Sequence, residues 1–156
     1  MKYSYPQIVL AEVPNEISLA LSISGCPLHC KGCHSSETWD KNFGKELTKE
    51  EIVRLLNLHK HISCVLFYGG EWEIDTLYNM CVLVKSYRLK TALYTGLDDI
   101  AELQEYGLLK VLDYIKYGSY KEELGGLNSK NTNQHLFTIN KGKLETELFL
   151  NKDIVL

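Results

Sequence analysis

The hydrophobic and polar positions of this chain change period several times. From Val9 to Ser24 they read as one or two strands broken at Pro14 and Asn15. There ISLALSIS alternates apolar with small residues, carries β-branched isoleucines and stops at Gly25. Thr48 and Glu51 make a capping-box pattern ahead of Ile52, Leu55 and Leu56, which share one face at helical spacing and predict a helix from about 48 to 59. CVLFYGG follows, a short apolar run closed by two glycines, as expected of a strand buried on both faces. Ile74, Leu77, Tyr78, Cys81 and Val84 recur at three and four residues and predict a second helix. The alternation then repeats with TALYTG, a helix around Ile100 and Leu103 closed by Gly107, and VLDYIKYG.

Strand, helix, strand, helix, strand implies parallel βαβ units with right-handed crossovers. Residues 118 to 134 are rich in glycine and polar side chains, and HLFTINKGKLETELFL reads as a closing hairpin turned at Lys141 and Gly142. A chain of 156 residues is too short for eight βα units. The expected fold is therefore α/β, an incomplete parallel barrel or an open parallel sheet with a C-terminal hairpin, in a single domain spanning 1–156. In either architecture ligands bind at the carboxyl ends of the strands. The loop after the first strand, Gly69 to Glu71, Tyr94 to Gly96, and Tyr117 to Gly118 all fall on that rim.

Composition changes the picture by exclusion. The chain is 45% hydrophobic and 24% charged, as in ordinary globular proteins, with no sign of disorder, collagen or repeats. Its 20 acidic and 17 basic residues leave a charge of −3, and the lysines come in ones and twos, which argues against a nucleic-acid surface. No apolar run approaches the roughly 20 residues that span a bilayer, and MKYSYPQ lacks the basic and apolar regions of an export signal, so a cytosolic location is expected. In that reducing compartment an odd count of five cysteines points to metal binding or catalysis and away from a disulfide framework.

Three of those cysteines, Cys26, Cys30 and Cys33, crowd into ISGCPLHCKGCHSSETWD. Thiolates suit zinc or iron–sulfur clusters. A structural zinc site closes its tetrahedron with four ligands; His29 or His34 could supply the fourth, although His34 directly follows Cys33 and adjacent residues seldom reach one ion. An electron-transfer cluster also takes four cysteines. Cys64 lies in a predicted buried strand and Cys81 on a helix face, so both read as small core hydrophobes. A cubane cluster held by three cysteines leaves one iron without a protein ligand, open to a substrate or cofactor.

CPLHCKGC has the CxxxCxxC spacing of the radical S-adenosylmethionine enzymes, and Tyr68-Gly69-Gly70-Glu71 resembles the GGE motif of that superfamily. Two glycines let a backbone approach a ligand closely, and a carboxylate accepts hydrogen bonds from an ammonium group. Without the cysteines, the same residues would read as an ordinary turn with an exposed Glu. GCPLHCKGCHSSETWD, the GGE loop, YTG and YIKYGSYKEELGGLNSKNTNQ together resemble the activating proteins of anaerobic ribonucleotide reductases, from Gln7 to about Phe137. The resemblance implies a 4Fe-4S cluster and S-adenosylmethionine, cleaved reductively to a 5′-deoxyadenosyl radical that takes a hydrogen from one glycine of a class III reductase. It also implies an electron donor such as flavodoxin or ferredoxin, and no catalytic side chain beyond the cluster and cofactor ligands.

By position in that pattern, Cys26, Cys30 and Cys33 would hold the cluster. Gly69, Gly70 and Glu71 would meet the methionine end of the cofactor, with Gly32 and His34 near its adenine. Tyr94, Thr95 and Gly96 are further cofactor candidates that serve equally as packing and turn residues. Asn133 and Gln134 match a late polar pair whose alternative is a capped loop, and Trp39 reads as packing over the cluster. Two departures stand out: AEVPNEIS replaces a glycine-rich segment, and Trp72 stands where many members have proline. Rival readings are a small-molecule enzyme similar to the 7-carboxy-7-deazaguanine synthases, for which no clear set of carboxylates is visible, and a zinc-stabilised interaction module. A domain this small encloses no large substrate, so a loop presented by a partner protein fits better than a free metabolite.

Overall fold

In the computed structural model, which describes residues 1–127, 129–140 and 143–147, the strand-forming segments pair into one open sheet. Its strands are β1 (Lys2–Val9), β2 (Ser18–Ile23), β3 (Lys45–Glu46), β4 (Cys64–Tyr68), β5 (Lys90–Tyr94), β6 (Tyr114–Tyr117), β7 (His135–Asn140) and β8 (Lys143–Glu147). They lie in the order β3-β1-β2-β4-β5-β6-β7-β8. β2, β4, β5 and β6 run parallel, joined by crossovers that carry α1 (Lys49–Leu58), α2 (Ile74–Ser86) and α3 (Ala101–Tyr106). Of the two expected architectures the open sheet is observed. An all-parallel sheet is not: β1 and β3 flank it on one side and β7 and β8 on the other, all antiparallel to their neighbours. The predicted hairpin is the β7–β8 pair, and its turn at Lys141 and Gly142 lies outside the described residues. No helix among the described residues is long and apolar enough to cross a membrane.

The N-terminal expectation needs correction. The segment predicted to begin at Val9 is two strands, one of which starts at Lys2, while residues 10–17 are not strand at all. β1 escapes the alternation rule because it lies outside the parallel core, largely half-buried or exposed. It also contains Pro6 and slips register between Ser4 and Gln7, with Tyr5 at φ 50°.

The two faces of the sheet are packed differently. Leu19, Leu21, Val65, Phe67, Leu93 and Ile115 face the helices, meeting Ile52, Leu55, Leu77, Cys81 and Val84 in the main core. Small residues on the opposite face, Ala20, Cys64 and Ala92, make room for Tyr94, Tyr114 and Val13, the last carried in by the segment before β2. Thr48 caps α1 as expected, accepting from the Glu51 amide at 3.1 Å. The Glu51 carboxylate instead takes the Tyr3 hydroxyl and Arg54, tying the helix to β1.

The amino ends of the parallel strands meet at Glu16, which is 5% exposed. Its carboxylate accepts from Lys90 Nζ at 2.6 Å, from the Tyr114 hydroxyl at 2.8 Å and from Ser63. Burial works against this charge, but those donors outweigh it and hold the carboxyl below its ordinary value of 4.5. The resulting stabilisation is complete above pH 4.5 and is lost as the pH falls through the depressed value. Glu16→Gln is expected to cost about 2 kcal/mol at neutral pH, from charge-assisted bonds made neutral. Urea midpoints of the two proteins should converge in acid; a gap that persists there would disprove the assignment.

Candidate functional site

The cysteine loop leaves β2 at its carboxyl end and is drawn in around one buried residue, Thr38. Thr38 sits in the 3-10 turn Ser36–Trp39, and its carbonyl accepts from the amides of Gly25 and Cys26 at 2.7 and 3.2 Å. Ser24 Oγ donates to Phe43 O at 2.7 Å. The Cys33 amide closes on Cys30 O at 3.1 Å, and the Ser35 amide points at Cys33 Sγ, 3.4 Å away. His29, at φ 49°, stacks on Trp39 with ring centroids 4.4 Å apart, so Trp39 packs against the loop instead of entering the cavity the loop borders.

The second wall comes from the turn after β4. Gly69 and Gly70 adopt φ of 85° and 109°, where any side chain would be strained. A Cβ on Gly69 would also lie 2.3 Å from the Trp72 indole. That indole donates from Nε1 to Ser24 O at 3.0 Å, so the residue standing in place of proline ties the glycine turn to the root of the cysteine loop. Glu71 follows on a 3-10 turn. Its Oε1 accepts from Thr95 Oγ1 at 2.6 Å, while its Oε2 is buried with no hydrogen-bond partner. Burial pushes the Glu71 carboxyl upward against the effect of Thr95.

These walls enclose an open cavity of about 210 Å³. It is lined by Cys26, Cys30, Cys33, His34, Gly69, Glu71, Tyr94, Thr95 and Gly96 among the candidates from the sequence. Gly32 stands outside the lining, against the Glu122 side chain, and Gly70 packs toward Ile23. Gln134 also lines the cavity, and the polar pair acts as a clamp: Asn133 Nδ2 donates to Ser119 O at 2.9 Å and Gln134 Nε2 to Gly118 O at 3.3 Å. Cys64 and Cys81 are fully buried in the two cores, as expected. Tyr68, Tyr120 and Lys116 line the cavity without having been singled out from the sequence. Period-two spacing along YIKYG would have found Lys116, since it shares a face with the inward-facing Tyr114. Its ammonium lies 5.0 Å from the Tyr94 ring centroid, and burial pushes its pKa down.

The donor set fits an iron–sulfur cluster. The three thiols border one shared space, and in a cubane each thiolate would bind a different iron. Burial raises the Cys26 thiol, a cost that ligation to a metal reverses. The unpartnered Glu71 oxygen is the acceptor that an ammonium-bearing ligand needs.

Fold and site thus define an open α/β domain with a thiol-lined cavity at the rim of its parallel strands. Residues 17–138 match the 4Fe-4S single cluster domain family, and the chain belongs to it. It is 32% identical over 107 residues to the pyruvate formate-lyase-activating enzyme of Clostridium pasteurianum, a match covering 62% of this chain and 45% of that one. It is 38% identical over 37 residues to the pyruvate formate-lyase 1-activating enzymes of Escherichia coli K12 and Shigella flexneri, covering 24% of this chain and 15% of theirs. The matches therefore span less than half the length of these relatives. No solved structure matches the chain. The family supports the cluster expected from the sequence, and the family and relatives together support its pairing with S-adenosylmethionine.

Trp72→Phe keeps a ring over Gly69 and removes the bond to Ser24. It should lower stability by about 1 kcal/mol and accelerate reaction of the loop thiols with a thiol reagent in the cluster-free protein, leaving Cys64 and Cys81 unreactive. An unchanged rate would show that the loop is held without Trp72.

Proposed function

We propose that this chain is an iron–sulfur activase that cleaves S-adenosylmethionine reductively and leaves a glycyl radical on a partner protein. The observation that carries this reading is that three cysteine thiols and the unpartnered, buried oxygen of Glu71 border one cavity. When bound, the cluster supplies the electron and the cofactor the 5′-deoxyadenosyl radical that abstracts hydrogen from glycine. The protein's part is to bind and orient. Cys26, Cys30 and Cys33 hold the cluster, Glu71 receives the cofactor's ammonium group, and Thr95 fixes the carboxylate by holding its other oxygen. Gly69 and Gly70 bring backbone close to the same end, while His34 and Gly32 belong to the loop that flanks the adenine. Tyr94 and Gly96 shape the floor.

The partner in this reading is an anaerobic ribonucleotide reductase, because the resemblance to its activating proteins runs from the cysteine loop through YTG to the late polar segment. The relatives are named for activating pyruvate formate-lyase, which makes that enzyme a second target of the same chemical class. The electron donor is a flavodoxin or ferredoxin, in a reducing, cytosolic setting.

The test is anaerobic. Iron and sulfide are loaded, dithionite and S-adenosylmethionine are added, and 5′-deoxyadenosine and methionine are quantified. Product is expected, falling to background in Cys26→Ala, Cys30→Ala and Cys33→Ala but retained in Cys64→Ala, whose thiol is in the core. A loaded cluster that yields no product would overturn the activity. Paramagnetic resonance on each candidate partner then identifies the target: a glycyl radical on pyruvate formate-lyase and none on the reductase would overturn the partner assignment alone.

A further inference from the structure

Among the described residues the cavity is lined by two glycines, Gly69 and Gly96, and they are glycine for different reasons. Gly69 sits at φ 85°, where a side chain is strained. Gly96 lies outside the left-handed region, so its φ makes no demand for glycine. What it lacks is space. A Cβ at this position would stand 2.6 Å from Leu28 Cδ1, and among the described residues Leu28 alone, apart from the chain neighbours, supplies atoms within 4 Å of it. Leu28 is the middle residue between Cys26 and Cys30, half-buried and bordering the cavity. Its amide and that of His29 hydrogen-bond to the Cys26 sulfur.

The seat beneath Leu28 is fixed on both sides. The Thr95 amide donates to Lys116 O at 2.8 Å, the Leu97 amide to Thr95 Oγ1 at 3.1 Å and the Gly118 amide to Leu97 O at 2.7 Å. Thr95 also holds Glu71 through its hydroxyl. The residue before the seat therefore positions the carboxylate, while the side chain in the seat belongs to the segment that positions the first thiol. Thr38 and Trp72 tie the cysteine loop only near its root, at Ser24, Gly25 and Cys26. Leu28 carries it across to the end of β5. We infer that Leu28 is a positioning residue, seated on Gly96, that fixes the spacing between Cys26 and Glu71. The inference rests on the cofactor reading above for what that spacing serves; the seat itself is a contact between two loops.

The experiment moves one carbon across the contact. Gly96→Ala adds a methyl group under Leu28, Leu28→Val removes the Cδ atoms above the seat, and the double substitution nearly conserves the total volume. Two quantities are measured on the full chain: the alkylation rate of Cys26 in the cluster-free protein, followed by peptide mass, and S-adenosylmethionine binding to the cluster-loaded, unreduced protein by equilibrium dialysis. Each single substitution should speed alkylation by roughly 10-fold and weaken binding, and the double protein should return close to wild type in both. Leu28→Val adds no crowding and reads the same contact if Gly96→Ala does not fold. An unchanged Cys26 rate in the single variants, or a double protein as altered as Gly96→Ala, overturns the assignment. So does a double protein whose Cys26 rate is restored while its binding is not, because Gly96 would then meet the cofactor itself. Wild type that fails to bind S-adenosylmethionine with its cluster loaded overturns the cofactor reading, and the thiol rates still decide the seat.

Discussion

Parallel strands cannot be joined by tight turns, and that constraint organises this molecule. Each return path must cross the sheet, so the crossovers place α1, α2 and α3 against one face and send every outgoing loop to the same rim. Four loops that are distant in sequence thus meet above β2, β4, β5 and β6. The meeting is then made specific by a few bonds. Thr38 gathers the cysteine loop, Trp72 ties that loop to the glycine turn, and Thr95 holds Glu71 from the next strand over.

The two ends of the parallel sheet resolve their buried charges in opposite ways. At the amino end Glu16 is surrounded by three donors and its carboxyl is held low, so the charge stabilises the fold. At the carboxyl end burial works against charge on the groups that line the cavity: Cys26 and Glu71 are pushed up and Lys116 is pushed down. Burial thus disfavours the charged form of a thiol, a carboxyl and an amine that border one cavity, and a metal or an opposite charge bound there would work against that effect. Stability is concentrated at one end and binding capacity at the other, the division seen when strands of one direction share a sheet.

The inner face explains why the cavity is shallow. Small side chains at Ala20 and Ala92 would leave a trough along the sheet, but Val13 and Tyr114 fill its lower part. What remains open is the upper row, where Tyr68, Tyr94 and Lys116 stand next to the cysteine loop. A space of about 210 Å³ remains open there, at the rim of the parallel strands.

Whatever was local in the chain was legible from the sequence. The spacing of Cys26, Cys30 and Cys33, the cap at Thr48, the glycines closing β4 and the alternation of strands with helices are all properties of neighbouring residues. Local pattern also places Cys64 and Cys81 in cores. β1 was not legible, because a strand at the flank with one bulge and one proline needs only half a pattern. The rest was decided by tertiary structure. The Trp72 indole reaches back 48 positions to Ser24, and Thr95 reaches Glu71 across 24; neither contact has a local signature. Period two puts Lys116 on the face of Tyr114, but only the parallel register sets it beside Tyr94. The sequence by itself determined which chemical groups the protein carries. Only the folded sheet decided which of them share a cavity, because proximity across a parallel sheet is fixed by register and crossover, and neither is written in the spacing of adjacent residues.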